Sequence, residues 1–138
     1  MDNSFYDFTV NINKLNKLFL ETIDLELKTK EIYDVTPMQA LLILNIACDK
    51  KNINNLQSDY YIGKNTSYNT NNLAKRGYIT RTIGKEDKRC VIVSLTDKGK
   101  ELYDFLSRVL MSRLKVLQER EIDVMYINTI LSELQIIF

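Results

Sequence analysis

A stretch of twelve residues near the middle of the chain holds the side chains best suited to recognising a partner. Lys64, Asn65, Ser67, Tyr68, Asn71, Asn72 and Lys75 fall on one side of a helical spacing, opposite Ile62, Thr66, Thr70 and Leu73. Asn and Ser offer hydrogen-bond donors and acceptors together, which is what the edges of base pairs require. Lys64 and Lys75 flank them with charge suited to phosphates. Further on, Lys85, Lys88 and Arg89 cluster in the polar stretch Gly84 to Arg89, between two β-rich runs. A polar helix face followed by a hairpin with a basic tip suits a nucleic-acid groove and the backbone beside it. Two plainer readings stand next to this one. Asparagine is frequent throughout the chain, so Asn54, Asn65, Asn69, Asn71 and Asn72, all poor helix formers, are equally explained by compositional bias. The basic tip is equally explained as a soluble loop.

Other chemistries are disfavoured. The chain has no histidine, which removes the commonest general base and the triads built on it. Its two cysteines, Cys48 and Cys90, lie far apart with no paired spacing, so a zinc site is not expected. We therefore expect no catalytic, cofactor-binding or metal-ligating set. At 138 residues and 45% hydrophobic content the chain is long and apolar enough for one domain with a real core. No apolar run reaches the roughly 18 residues of a membrane span and no signal peptide opens the sequence, so a cytoplasmic location is expected.

The net charge of +1 conceals an asymmetry. Between Gly63 and Lys100 nine basic residues face three acidic ones, a balance of +6, which leaves −5 on the rest. A phosphate backbone senses local charge within a Debye length of about 8–10 Å, so the segment and not the total matters.

The elements that must position these residues can be read in order. Apolar residues at Phe5, Phe8, Ile12, Leu15, Leu18, Phe19, Ile23 and Leu27 mark a long amphipathic helix over 4–31. Thr36, Pro37 and Gln39 form a helix start with a capping box, and the helix that follows to about Cys48 is apolar on most sides. Ile53 is read as a short strand. Asn54 and Gln57 then start a helix to about Tyr61, with Leu56 and Tyr60 inward, and Gly63 breaks it. The next helix covers about 65–76, ending at Gly77. Helix, turn and helix is the arrangement whose second helix enters a major groove. Strands follow over 78–83 and 90–95. Thr96 and Asp97 cap a helix reaching about Gln118, Glu119 to Asp123 form a charged break, and a last helix carries Val124 to Phe138. The long striped helices offer more apolar surface than a small central domain can cover. A symmetric dimer is the expected outcome, with a self-contained bundle as the alternative.

Three signatures give this order a family likeness. Asp87-Lys88-Arg89, the alternating Cys90 to Leu95 and Thr96-Asp97-Lys98-Gly99 resemble the wing of MarR-type winged helix-turn-helix regulators. Leu73-Ala74-Lys75-Arg76-Gly77-Tyr78-Ile79 resembles the end of their recognition helix, and Thr36-Pro37-x-Gln39 the start of their second helix. The resemblance implies a mainly α (α+β) winged helix-turn-helix fold: 36–99 the DNA-binding lobe, 4–31 and 100–138 dimerisation helices. It also implies a homodimeric, sequence-specific regulator, usually a repressor, on a palindromic operator in double-stranded DNA. The major groove would take the helix bearing Asn65, Ser67, Tyr68 and Asn71, and the minor groove would lie near Lys88 or Arg89. In the family the matching Asp and Arg also pair within the protein, so Arg89 has a structural reading as well and Lys88 is the freer candidate. Many members respond to small, often phenolic effectors, for which Tyr33, Tyr60 and Tyr61 would be lining residues or simply packing ones. The chain departs from the pattern in its turn, Tyr60 to Asn65, about a residue short, and in Thr66 and Thr70, where larger aliphatic residues are usual. Two other functions compete: a winged-helix protein-interaction module without DNA binding, and a redox switch using Cys48 or Cys90, the latter beside Arg89.

Overall fold

The computed structural model describes residues 3–46, 51–53, 65–86 and 88–137. Its elements are α1 (Asn3–Thr29), α2 (Pro37–Ile46), β1 (Lys51–Asn52), α3 (Thr66–Lys75), β2 (Ile79–Ile83), β3 (Val91–Leu95), α4 (Asp97–Glu119) and α5 (Val124–Ile137). The chain is mainly helical with one small antiparallel sheet of strand order β1-β3-β2. The β2–β3 ladder runs from Ile79 opposite Leu95 to Ile83 opposite Val91. This is the winged helix class expected from the sequence. Ile53 is a correction: the short strand is made by Lys51 against Val93 and Asn52 against Ile92, and Ile53 follows it as a core residue, 6% exposed. The anticipated helix from Asn54 to Tyr61, with Leu56 and Tyr60, lies outside the described residues, as do Cys48, Ile62, Gly63, Lys64 and Asp87.

The chain divides into two compact units, 1–106 and 107–138. The first is built on α2. The capping box forms as read: the Gln39 amide donates to Thr36 Oγ1 at 3.3 Å and the Thr36 amide to Gln39 Oε1 at 3.1 Å. Beyond that cap Ala40, Leu42, Ile43 and Ile46 are buried, joined by Ile23 and Leu27 of α1, Leu73 of α3, Ile79 and Val93 of the sheet, and Leu102 and Leu106 of α4. Each such aliphatic side chain is worth about 1.5–3 kcal/mol once withdrawn from water. Within the unit α2 packs against α1, α3 and β3. It thereby fixes the element carrying the polar face to the sheet carrying the basic tip.

Only the C-terminal part of α1 enters this core. Phe5, Ile12, Leu15, Leu18 and Phe19 remain 37–69% exposed. The helix ends without glycine: Glu31 adopts φ 59°, and the Ile32 amide reaches back to the Leu27 carbonyl at 2.8 Å, which closes the last turn.

In the second unit the same device turns the chain. Glu121 has φ 57°, with the Ile122 amide bonded to the Leu117 carbonyl at 3.0 Å, and Asp123 Oδ1 then accepts from the Tyr126 amide at 3.0 Å to start α5. Apolar side chains remain exposed along α5, among them Met125, Tyr126, Ile127, Ile130, Leu131 and Ile136. A recess of about 360 Å³ lies at this corner, lined by Leu114, Gln118, Ile122, Asp123, Val124 and Met125.

Candidate nucleic-acid interface

Helix α3 presents two unlike sides. Thr66, Thr70 and Leu73 are fully buried. The threonines serve as core residues because the helix itself satisfies the Thr70 hydroxyl, which lies 2.9 Å from the Thr66 carbonyl and 3.1 Å from that of Ser67. Opposite them Asn65, Ser67, Tyr68, Asn71 and Lys75 are exposed and Asn72 is half-buried. At about 100° per residue, Tyr68, Asn71 and Lys75 lie along the middle of the outward side. Asn65 occupies the N-cap position without using its side chain to cap. Asn69 differs from its neighbours: its Oδ1 accepts from Gln39 Nε2 at 3.2 Å, so it belongs to the scaffold.

That bond is one link in a polar network that sets how α3 is held. Gln39, only 2% exposed, also accepts from Arg76 Nη1 at 3.2 Å through Oε1. The same guanidinium donates to the Asp34 carbonyl. Asp34 Oδ1 accepts from the Tyr78 hydroxyl at 2.8 Å, and its Oδ2 stands 3.7 Å from Lys98 Nζ. Lys98 Nζ lies 4.0 Å from the centre of the Tyr78 ring and donates to the Arg76 carbonyl at 2.9 Å. The loop before α2, the end of α3, the root of the hairpin and the first turn of α4 are thus tied together. Burial, then the hydrogen bond and charge of Asp34, push the Tyr78 phenol up to about 12, with the Arg76 charge opposing.

The chain leaves α3 through Gly77, whose φ of 78° is costly for other residues. Thr96 closes the hairpin root. Its amide donates to the Tyr78 carbonyl at 3.0 Å, and its Oγ1 lies 2.6 Å from the Gly77 carbonyl and accepts from the Gly99 amide at 3.1 Å. Gly99 approaches so closely that a Cβ would stand 2.0 Å from the Tyr78 carbonyl oxygen. From this root the hairpin emerges from the core: Ile79 is buried, whereas Thr82 and Ile83 are exposed. The Gly84 amide bonds to the Cys90 carbonyl at 2.8 Å, and the tip beyond carries Lys85, Lys88 and Arg89, all exposed. Cys90 is half-buried at the start of the return strand.

The described members of both site clusters are therefore on the surface, α3 outward and the hairpin tip beyond the core. The charge balance needs redistribution, however. Arg76 and Lys98, counted as local positive charge, are turned to internal partners, and Lys100 stands 3.6 Å from Asp97. Of the other described cations between Gly63 and Lys100, Lys75, Lys85, Lys88 and Arg89 are exposed and Arg81 is half-buried. Asp34 was not singled out from sequence, and Gln39, Arg76, Tyr78 and Lys98 were read there only in the capping box, the charge balance and the family signatures, not as partners of one another. A glutamine in an otherwise apolar stretch of helix was the one available signal. Tyr33, considered for an effector cavity, is 76% exposed.

Comparison with known proteins agrees with this architecture. Residues 35–99 match the family model described as a winged helix DNA-binding domain. The exopolysaccharide II synthesis transcriptional activator ExpG of Rhizobium meliloti is 27% identical over 100 residues, 72% of this chain and 52% of that protein. The chain thus spans about half the length of that relative. A MarR transcriptional regulator from Methanosarcina mazei superposes with a TM-score of 0.73 at 21% identity, over 96% of this chain and 94% of that one. A mutant MarR from E. coli complexed with operator DNA gives 0.74 at 17% identity, over 99% and 96%. FabT of Streptococcus pneumoniae in complex with DNA gives 0.72 at 18%, over 99% and 94%. Residues 35–99 are thus similar to a winged helix DNA-binding domain, and the chain has the fold of the solved MarR-type transcriptional regulators.

Proposed function

We propose that this protein is a sequence-specific regulator of transcription that binds double-stranded DNA as a homodimer in the cytoplasm. The observation that carries the reading is the pairing, on one compact lobe, of an outward polar helix face with a basic hairpin tip. In this reading Asn65, Ser67, Tyr68, Asn71 and Asn72 enter the major groove, with Lys64 before them and Lys75 after them at the flanking phosphates. Lys85, Lys88 and Arg89 lie along the backbone at the minor groove. Residues 36–99 act as the DNA-binding lobe, and 4–31 with 100–138 as dimerisation helices. The exposed apolar residues of α1 and of α5 support that division, since surfaces of this kind mark interfaces. A two-fold dimer presents two copies of α3 to a pseudo-palindromic operator, and occupancy represses the adjoining gene. The solved complexes of MarR and FabT with DNA support this mode of use of the fold. A small-molecule effector belongs to the same reading as a modulator of dimer geometry.

The experiment is a mobility shift with genomic fragments, comparing the wild type with the double substitution Lys85→Glu and Lys88→Glu. Binding is expected with the wild type and weakened for every fragment in the variant. Equal binding by both removes the wing assignment, and no binding by either favours a protein-interaction module.

A further inference from the structure

Resting on the DNA-reading assignment above, we propose that α3 selects A·T base pairs in the major groove, with Asn71 reading adenine and Tyr68 packing on the thymine methyl group. The side chains that read guanine bidentately are arginine and lysine, whereas asparagine pairs with adenine N6 and N7, and apolar surface meets the thymine methyl. From Asn65 to Leu73 the chain contains no arginine or lysine. The arginine at the end of α3, Arg76, is held by the Asp34 carbonyl and Gln39 Oε1 and is turned to the scaffold. Lys75 sits in the last turn of α3, whereas recognition helices meet base edges chiefly through their N-terminal residues, so its charge falls to a phosphate.

What remains on the outward side of the first two turns is Ser67, Tyr68 and Asn71. Tyr68 is 66% exposed and rises from the middle of that face. Asn71 lies one turn further, about 5–6 Å away at the Cβ atoms, so the two fall on the same or adjoining base pairs. Of the four asparagines from 65 to 72, Asn69 is withdrawn by its bond to Gln39, Asn72 is half-buried and Asn65 stands at the N-cap position before the first turn, which leaves Asn71 as the central amide. Serine discriminates weakly between bases, so the selection rests on Asn71 and Tyr68.

The test is selection of binding sites by the full chain from a random-sequence duplex pool, followed by atomic replacement in the selected site. Selected sites are expected to carry A·T pairs under α3. Replacing thymine by uracil, which deletes the methyl group, should weaken the wild type about fourfold, the worth of one buried methyl group, and leave Tyr68→Ala unaffected. Replacing adenine by 7-deazaadenine should weaken the wild type about tenfold and leave Asn71→Ala unaffected. Both positions are exposed, so both variants fold. Selected sites with G·C pairs under α3 overturn the base assignment and leave DNA binding standing. Indifference to both atomic replacements overturns the two residue roles. Failure to retain DNA of any sequence removes the DNA reading and this inference with it.

Discussion

Two single residues at the root of the hairpin carry more of the architecture than their types suggest. Gly99 is required by crowding: a methyl group there meets the Tyr78 carbonyl, which belongs to backbone that is itself bonded to Thr96. Gly99→Ala should cost about 1–3 kcal/mol, read as a lowered urea midpoint, and an unchanged midpoint would show that the helix start shifts freely. Tyr78 makes a different prediction because its phenol is pushed from 10.0 up to about 12. Below pH 10 the hydroxyl is protonated in both states and its contribution is complete. As pH rises from 10 toward 12 the unfolded chain releases the proton first, so stability falls through that window. Tyr78→Phe should lose about 1–1.5 kcal/mol at neutral pH, modest because Asp34 stays open to water, and should lack the alkaline fall. Urea titrations of both proteins at about pH 8 and about pH 11 check the difference.

Among the elements, the hairpin was legible because strand alternation, the polar tip and Gly77 are all local signals. The capping box at Thr36 and the helix cap at Thr96 were legible for the same reason. The breaks after α1 and α4 were legible in position, but their left-handed closure was not, because Glu31 and Glu121 occupy the region where sequence leads one to look for glycine. The polar clamp joining Asp34, Gln39, Arg76, Tyr78 and Lys98 was hidden too, since its partners are as far apart in sequence as Asp34 and Lys98. In the composition they count only as ordinary polar residues. The exposed stripe of α5 yields a further prediction. Replacing Ile127 and Leu131 by Glu should shift the protein toward monomer in sedimentation velocity, with helix content unchanged by circular dichroism. A variant that sediments as the wild type would place the dimer contact elsewhere.

For the molecule as a whole, the sequence showed charge concentrated between Gly63 and Lys100, but not that part of it is spent internally. Arg76 and Lys98 hold the lobe together, and the outward cations lie on α3 and at the tip. A phosphate-tracking surface built from those few side chains makes binding strongly electrostatic, and a dimer that meets roughly 6–10 phosphates obeys a steep salt law. The most direct measurement is therefore the affinity for a selected operator across graded salt. The expected slope of log K against log salt is about −5 to −9, which corresponds to a loss of about 10³–10⁵-fold between roughly 50 and 200 mM. A flat dependence, or no complex at the lowest salt, would contradict the assignment of α3 and the hairpin tip as a DNA-reading surface.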